Sequence, residues 1–486
     1  MIKKKFSSIT STRKTAWLTL ASAALVSLAG CSQVPTYERP AAPVPQHFPN
    51  VSEAPATPLM PWREYFSDPS LRTLIEAALN HNRDLKIAVA RVEEARALAG
   101  VTRADRFPTL EAQGSFNRSR TPANVSVTGN ARTFSRYDLA LGLTAFELDF
   151  WGRVAALSEA ARSQYLATEE AARSFRIGLI SDVASTWLMR VQLAEQERLA
   201  TETLKTREES LTLIRKRQGA GLASDLDVLA AEGLAESVRV QTGDLKRQRM
   251  QAENALRLLT GMEVDIPAPA NSASQSLMDG LAPGLPSEVL LHRPDVLAAE
   301  QRLIAANANI GAARAAFFPR IALTTNLGMA SSALSTLFGS GSEAWVFQPV
   351  LRLPLFDAGR NKANLDVANA RKVQAVADYE KTIQQAFREV SDVLAAQSTY
   401  TEQVTAQEAN VRAQQTRFER VKAREKAGIA TYLEILDASR DAFNAEQVFV
   451  SYRWQLMSTR IALYKALGGE GCARHKLTCN AEFSNP

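Results

Sequence analysis

The 486-residue sequence is poor in the side chains on which most enzymes depend. Aromatic residues make up 7% of the chain, and there are four histidines, at positions 47, 81, 292 and 475. None of them stands in a metal-binding or catalytic-triad pattern, and no glycine-rich loop is present that could cradle a phosphate. Neighbouring carboxylates such as Glu93 and Glu94, or Asp225 and Asp227, are typical of solvated surfaces. The sequence therefore predicts neither an enzyme nor a cofactor nor a metal site.

A basic surface of the kind that binds nucleic acid is also absent. The formal net charge is +6, but five basic residues precede Cys31 with no acidic residue among them, namely Lys3, Lys4, Lys5, Arg13 and Lys14. Without these five the charge of the remaining chain is near +1. A protein that neutralises many phosphates needs a far larger excess, so we expect no nucleic-acid partner.

The first thirty residues are predicted to be a lipoprotein signal peptide. The apolar run at 16–29 follows the basic residues, and its length of about 14 residues is too short to span a bilayer. It ends in Leu-Ala-Gly-Cys31, which resembles a lipobox, where the chain is cut before the cysteine and acyl chains such as palmitate are attached. Ser32, in place of an aspartate, indicates sorting to the outer membrane. An ordinary signal peptide with an incidental cysteine is the alternative.

Two further cysteines, Cys472 and Cys479, lie close together in a C-terminal tail at 469–486. Oxidation is permitted in an exported protein, so we expect a local disulfide. A metal site that also uses His475 is the alternative, although three ligands in a tail are a weak pattern.

The rest of the chain has the pattern of a tandem duplication. The sequence at 103–108 recurs at 314–319, displaced by 211 positions, and the sequence at 221–229 recurs at 428–436, displaced by 207. A fixed displacement over more than a hundred residues indicates two copies of one unit. The predicted segments are a lipidated proline-rich arm (31–61), repeat 1 (62–263), a linker (264–287) and repeat 2 (288–468).

Each repeat is predicted to contain a short helix, a β-hairpin, a long helix and a return helix, with the hairpins at 109–147 and 320–354. A long helix from about 153 to 217 would span about 100 Å, and the return and short helices about 60 and 35 Å. Because the two shorter lengths add up to the longer, we expect those helices to stack end to end beside it. Along the first long helix, apolar residues at alternating steps of three and four form the expected seam, which would pack on a neighbouring helix. The pattern fades after Arg198, and the seam consists of Ile177, Ile180, Ala184, Trp187, Val191 and Ala194.

Four segments alternate apolar and polar side chains with period two, at 110–117, 137–145, 321–329 and 345–353. About ten residues tilted near 40° rise about 25 Å, the height of the apolar band of an outer-membrane barrel. Four strands cannot close a barrel, whereas three copies give twelve strands and room for a pore. The predicted fold is a mixed α and β membrane protein, in which a homotrimer completes a 12-stranded barrel and a long α-helical barrel. A soluble antiparallel sheet is the alternative.

Two longer motifs are distinctive: WREYFSDPSL at 62–71, and LPSEVLLHRPDV at 285–296, which leads through AANANIG at 305–311 to Phe-Pro at 318–319. Through them the chain resembles the TolC-like outer membrane factors, in particular their lipidated multidrug-efflux branch. The resemblance implies the exit duct of a tripartite efflux pump that exports drugs or other small molecules. It also implies three partners besides outer-membrane lipid: further copies of the chain, a periplasmic adaptor (a membrane fusion protein) and an inner-membrane transporter of the RND type.

The resemblance also implies roles for the two turns between long and return helices. In similar proteins these turns are the periplasmic tips, which assigns adaptor contacts to Gly219, Gly221 and Gly428. Closed tips are held by carboxylate rings, apolar side chains and arginine links on the helices that leave the turns. The positions that match such a gate here are Leu433, Asp437 and Arg440, with Leu226 at the duplicate of Leu433.

Three-fold symmetry would gather three copies of Asp437 around one axis, where carboxylates attract cations. The alternative is a solvated helix pair of Asp437 with Arg440, worth a few tenths of a kcal/mol. The duplicated position carries Ala230 and not a carboxylate.

Other exit ducts, for metal ions or for type I protein secretion, would fit the same pattern. A lipid-anchored periplasmic adaptor is a further alternative. Such a chain would carry one helical hairpin and would not need a pair of strand hairpins with the height of a bilayer.

Overall fold

The computed structural model describes residues 32–48, 60–263 and 287–469. Cys31, the signal peptide, nearly all of the linker, and the pair Cys472 and Cys479 lie outside these residues. The helices are α1 (Trp62–Tyr65), α2 (Pro69–His81), α3 (Arg83–Ala104), α4 (Arg153–Gly219), α5 (Asp225–Thr260), α6 (Pro294–Ala315), α7 (Arg360–Lys426) and α8 (Tyr432–Ala466). The strands are β1 (Leu110–Thr121), β2 (Arg132–Leu148), β3 (Arg320–Ser331) and β4 (Glu343–Arg352).

The duplication is visible in where the helices begin and end. The long helices α4 and α7 have 67 residues each, and both their first and their last residues differ by 207 positions. The return helices α5 and α8 both begin with a capping box, formed by Ser224 with Asp227 and by Thr431 with Glu434. A capping box satisfies the free N–H groups at a helix start, so both turns end at the same point for the same reason.

The four predicted strands form one antiparallel sheet in the order β1-β2-β3-β4, in which β2 and β3 join the two hairpins. Its register places Leu141 opposite Leu327 and Leu327 opposite Trp345. These three side chains are 56%, 72% and 74% exposed in the single chain. Since opposed residues share a face, the apolar halves of the alternating segments combine into one uncovered apolar face.

Strand β2 differs from the prediction at its end. The sequence pattern places Ala145 in the apolar set, but a bulge lies between Leu143 and Phe146, and Ala145 has a φ of 52°. The extra residue shifts the alternation, so Phe146 and Leu148 pair with Leu323 and Ile321 of β3. A bulge moves side chains to the opposite face, and the strand thereby continues to Leu148.

The described residues form two compact units, and each is considered by itself. The first comprises 32–40, 92–168 and 299–379 and contains the sheet. The second comprises 41–48, 60–91, 169–263, 287–298 and 380–469 and contains both helical turns. No helix of the described ranges is both long enough and apolar enough to cross a membrane.

The predicted seam of α4 lies in the second unit and is largely confirmed. Ile180, Ala184, Trp187 and Val191 are buried, while Ile177 and Ala194 are half-buried. As expected, the seam positions that would continue this series after Arg198 are exposed, at Thr201, Lys205 and Glu208. What the pattern did not predict is a second, shifted seam with heptad spacing, which is buried at Ala200, Arg207, Leu211 and Ile214. Its core position at Arg207 is one that hydrophobicity alone would assign to solvent.

The second unit also shows how the return helices meet the shorter ones. The side chain of Asn82 lies between α2 and α3; it accepts a hydrogen bond from the Leu85 N–H at 2.8 Å and donates one to the Leu259 carbonyl at 2.9 Å. In repeat 2 the guanidinium of Arg293 donates to the Ala466 carbonyl. Asn82 and Arg293 are duplicates at the displacement of 211, and Leu259 and Ala466 are duplicates at 207. The last turn of each return helix therefore contacts the residue that directly precedes a short helix.

Candidate functional site

The two helical turns have the same backbone geometry. After α4, the Leu222 N–H donates to the Arg217 carbonyl at 2.8 Å, and Gly221 has a φ of 76°. After α7, the Ile429 N–H donates to the Arg424 carbonyl at 2.9 Å, and Gly428 has a φ of 74°. Glycine is favoured at both positions because other residues are strained at such angles.

The predicted tip glycines stand in open space. A Cβ atom built on Gly219, Gly221 or Gly428 would meet no other atom within 4 Å. Gly219 is the last residue of α4, and the other two lie within the turns. The turns are accordingly free surfaces of the single chain.

Apolar side chains cluster by sequence around these turns and are uncovered. Leu226 is 77% exposed and Leu433 is 58% exposed. Leu222, Leu229 and Ile429 are between 63% and 77% exposed as well. Exposed apolar residues are thus concentrated on the two segments that form the turns.

The predicted pair of Asp437 and Arg440 is present on α8, with 3.3 Å between carboxylate and guanidinium. Arg440 also lies 3.5 Å from Asp441, which Arg417 of α7 contacts at 2.8 Å. The hydrogen bond from Arg417 holds the pKa of Asp441 below its usual range. The pair is thus one part of a four-residue charged network that joins α7 to α8.

Arg207 is a functional candidate that sequence reasoning missed. It is 6% exposed, donates to the Leu234 carbonyl at 2.9 Å, and lies over the ring of Phe443. Its Nε and Nη2 atoms have no hydrogen-bond partner. Burial, together with the positive charge of nearby Arg440, lowers the pKa of Arg207 to about 10. Arg207 therefore has no carboxylate partner within 32–48, 60–263 and 287–469, and it lines a cavity of about 480 Å³ between α4, α7 and α8 beside the predicted gate.

A second missed group ties the two turns together. Arg217, near the end of α4, donates to Glu425, near the end of α7, at 2.7 Å. The hydroxyl of Tyr432 is buried nearby without a hydrogen-bond partner, and burial and the charge of Glu425 raise its pKa. In the sequence, Arg217 lies two residues before the end of α4 and Glu425 one residue before the end of α7. Their pairing depends on how the hairpins pack, which the sequence does not show.

Among residues 32–48, 60–263 and 287–469, no group of three or more histidine, cysteine, aspartate or glutamate side chains is placed to hold a metal ion. The alternative site at Cys472 and Cys479 lies outside these ranges. The described surface around the turns is thus built from apolar residues and arginine–carboxylate pairs.

A four-stranded sheet with an uncovered apolar face, in a chain that also contains two long helical hairpins, is typical of an outer-membrane channel subunit. A family model described as outer membrane efflux protein matches residues 74–262 and 285–469. The chain belongs to this family of outer-membrane efflux channels, which are transporters and not enzymes. The predicted resemblance, fold class and role as an exit duct are thereby confirmed.

Individual relatives support the same assignment. The solvent efflux pump outer membrane protein SrpC of Pseudomonas putida is 45% identical over 456 residues, which are 92% of this chain and 97% of SrpC. The outer membrane protein OprJ of Pseudomonas aeruginosa is 44% identical over 91% of this chain and 94% of its own. The open state of the MtrE outer membrane channel of Neisseria gonorrhoeae matches with a TM-score of 0.82 and 36% identity, over 90% of this chain and 98% of MtrE.

Proposed function

We propose that the protein is the outer-membrane exit duct of a tripartite pump for antibiotics and organic solvents, and that it works as a homotrimer. The names of its relatives support the substrate class, since they include solvent, toluene and antibiotic efflux proteins. A periplasmic adaptor and an RND-type inner-membrane transporter would complete the pump.

The observation that carries the homotrimer is the four-stranded sheet. Strands β1 and β4 are its two edges, and each pairs on one side only within the described residues. Open edges are not tolerated in lipid, so further copies must supply the missing partners. Two copies would close eight strands around packed side chains, whereas three close twelve around a pore.

This proposal predicts three chains per particle. Native mass spectrometry of detergent-extracted outer membranes should give a mass of three chains, and unheated samples should migrate as trimers in gels. A stable monomer or dimer would contradict the proposal.

Deletion of the gene should increase the susceptibility of the cells to lipophilic antibiotics and solvents. An unchanged susceptibility profile would contradict the proposed substrate class.

The gate is proposed at the charged network on α8. Leu433 is exposed one helical turn before Asp437, and Arg440 contacts two carboxylates, so three copies around one axis would place apolar and charged rings in succession. The double variant Asp437→Ala with Arg440→Ala should raise single-channel conductance in planar bilayers. A matched control is Glu159→Ala with Arg162→Ala, which removes an exposed pair with the same spacing from α4. Equal conductance of the two variants would mean that Asp437 and Arg440 form only a solvated surface pair and not a gate.

The arm at 32–48 supports lipid anchoring at Cys31. It packs on α6, where Asn307 donates to the Pro35 carbonyl at 2.7 Å and Arg39 forms two 2.7 Å bonds with Glu300. Val34 fills the space beside Gly311, nine residues before β3 begins. The arm therefore runs along α6 toward the sheet as it approaches Cys31. An acyl group there would enter the leaflet next to the strands.

The adaptor is proposed to bind the turns that contain Gly219, Gly221 and Gly428. Their open surroundings and the exposed leucines beside them leave room for a helical partner with an apolar contact surface.

A further inference from the structure

Helix α4 of the first repeat contacts helix α8 of the second repeat through a small polar set in the second unit. The carboxylate of Glu195 accepts hydrogen bonds from Arg453 and, at 3.0 Å, from the indole N–H of Trp454. Beside it, Gln196 donates to the Gln447 carbonyl at 3.3 Å, and Gln447 donates to the Gln196 carbonyl at 3.2 Å. The contact thus consists of one ion pair and one reciprocal pair of glutamines.

The duplication carries these positions onto the other two helices. Moving 207 positions forward takes Glu195 and Gln196 to Glu402 and Gln403 on α7. Moving 207 positions back takes Gln447, Arg453 and Trp454 to positions of α5, namely Val240, Lys246 and Arg247. The signs of charge are kept, because the duplicate of Glu195 is again acidic and the duplicate of Arg453 is again basic.

These duplicated positions lack the partners that their counterparts have. Glu402 and Lys246 are both exposed, and no ion pair or hydrogen bond joins either side chain to the described residues. Val240 is 73% exposed, whereas Gln447 is 8% exposed. The Oε1 atom of Gln403 is buried without a hydrogen-bond partner. Glu402, Lys246 and Val240 are therefore exposed, and the Gln403 oxygen lacks a partner, whereas their counterparts contact one another between α4 and α8.

The first unit shows the same asymmetry independently. Ala160 of α4 packs with Ala305 and Ala308 of α6 in a buried cluster. The duplicate of Ala160 is Val367, which is 48% exposed, and the duplicate of Ala308 is Ala97, beside Leu98 at 60% exposure. Val367 and Ala97 are thus exposed where Ala160 and Ala308 are buried, and the duplicate of Ala305 is the exposed Glu94.

Chains in a closed ring contact one another head to tail. If each chain contributes two equivalent repeats, the contact from repeat 1 to repeat 2 inside a chain recurs as a contact from repeat 2 to repeat 1 of the next chain. We infer that α7 of one copy packs on α5 of the next copy, with Glu402 paired to Lys246 and Gln403 bonded to the backbone at Val240. This inference rests on the proposed homotrimer and names its interface.

Cysteine cross-linking tests the assignment in the full chain. In a background with Cys472→Ser and Cys479→Ser, the pair Glu402→Cys and Lys246→Cys should be joined between copies by a short bis-maleimide in isolated outer membranes. Each chain has one of each position, so a closed ring gives linked dimers and trimers and no larger species. The matched control combines Glu402→Cys with Glu232→Cys, which lies about 21 Å away along the same face of α5.

The outcomes separate the inference from the proposed function. A linked trimer at several times the yield of the control supports both. A trimer by native mass spectrometry without preferential linkage overturns the inference and leaves the homotrimer in place. Absence of any trimer, or linked species larger than three chains, overturns the proposed closure and the inference with it.

Charge reversal gives a second readout with intact cysteines. Glu402→Lys and Lys246→Glu should each lower the temperature at which the trimer dissociates in unheated gels, because each places like charges across the interface. Combining both reversals should restore it. Additive losses of dissociation temperature in the double variant would contradict the pairing of Glu402 with Lys246. Because both side chains are exposed in the single chain, each variant chain should still fold.

Discussion

Arg207 shows how a single side chain differs from what its charge suggests. It occupies a seam position between Ala200 and Leu211 but has no carboxylate partner among the described residues, and burial lowers its pKa to about 10. The group still carries its charge at neutral pH, so the chain bears a desolvation cost without a compensating ion pair.

We predict that Arg207→Met leaves the thermal unfolding temperature of the purified protein unchanged or raises it. Methionine fills a similar volume and removes the desolvation cost. The comparison is Arg39→Met, which removes the bidentate partner of the nearly buried Glu300 carboxylate and should lower the unfolding temperature. Equal losses in the two variants would show that Arg207 has a carboxylate partner in the assembled protein.

The sequence could not have identified Arg207. A heptad pattern with arginine at one core position is indistinguishable from a solvated helix, because hydrophobicity assigns charge to the surface. Its burial follows from the ring of Phe443 and the Leu234 carbonyl, which belong to other helices. The pair of Asp437 and Arg440 was predictable because both residues lie on one helix face.

At the scale of the elements, Asn82 performs two functions at one joint. Its side-chain oxygen caps the start of α3 through Leu85, and its side-chain nitrogen satisfies the carbonyl of Leu259 near the end of α5. Free groups at helix ends are costly when buried, and Asn82 is 4% exposed. Asn82 therefore joins α3 to α5. The sequence indicated that these two helices meet end to end only through the sum of their lengths.

We predict that Asn82→Ala lowers the free energy of unfolding by about 2 kcal/mol, since it removes both a cap and a buried hydrogen bond. Asn82→Ser retains the cap but is too short to reach Leu259, so it should cost roughly half as much. Thermal unfolding followed by circular dichroism measures both. Equal losses would mean that the bond to Leu259 contributes nothing.

Element order, the four strands and the long helices were predictable because each depends on local periodicity that recurs twice. The bulge at Ala145 was not. It depends on the register between β2 and β3, which sequence alternation within one strand cannot reveal. The contact between Asn82 and Leu259 was not predictable for a similar reason, because it depends on how α5 packs against the start of α3.

At the scale of the whole molecule, the two proposed attachments to the membrane differ in kind. A sheet with an uncovered apolar face can hold the chain in the bilayer only after closure with other copies. An acyl anchor at Cys31 acts on a single chain, and its hold is limited by the number of acyl chains. The arm connects the two, since its contacts with Asn307 and Glu300 fix its course along α6.

We therefore predict that loss of the anchor leaves the assembled protein in the outer membrane. The variant Cys31→Ser, exported with an ordinary signal peptide, should no longer incorporate labelled palmitate. It should nevertheless remain in the detergent-extracted fraction as a trimer, because twelve strands bury far more apolar surface than one lipidated residue. Appearance of the variant in the soluble periplasmic fraction would show that the acyl group, and not the closed sheet, retains the chain. Retained palmitate labelling would instead contradict acylation at this cysteine.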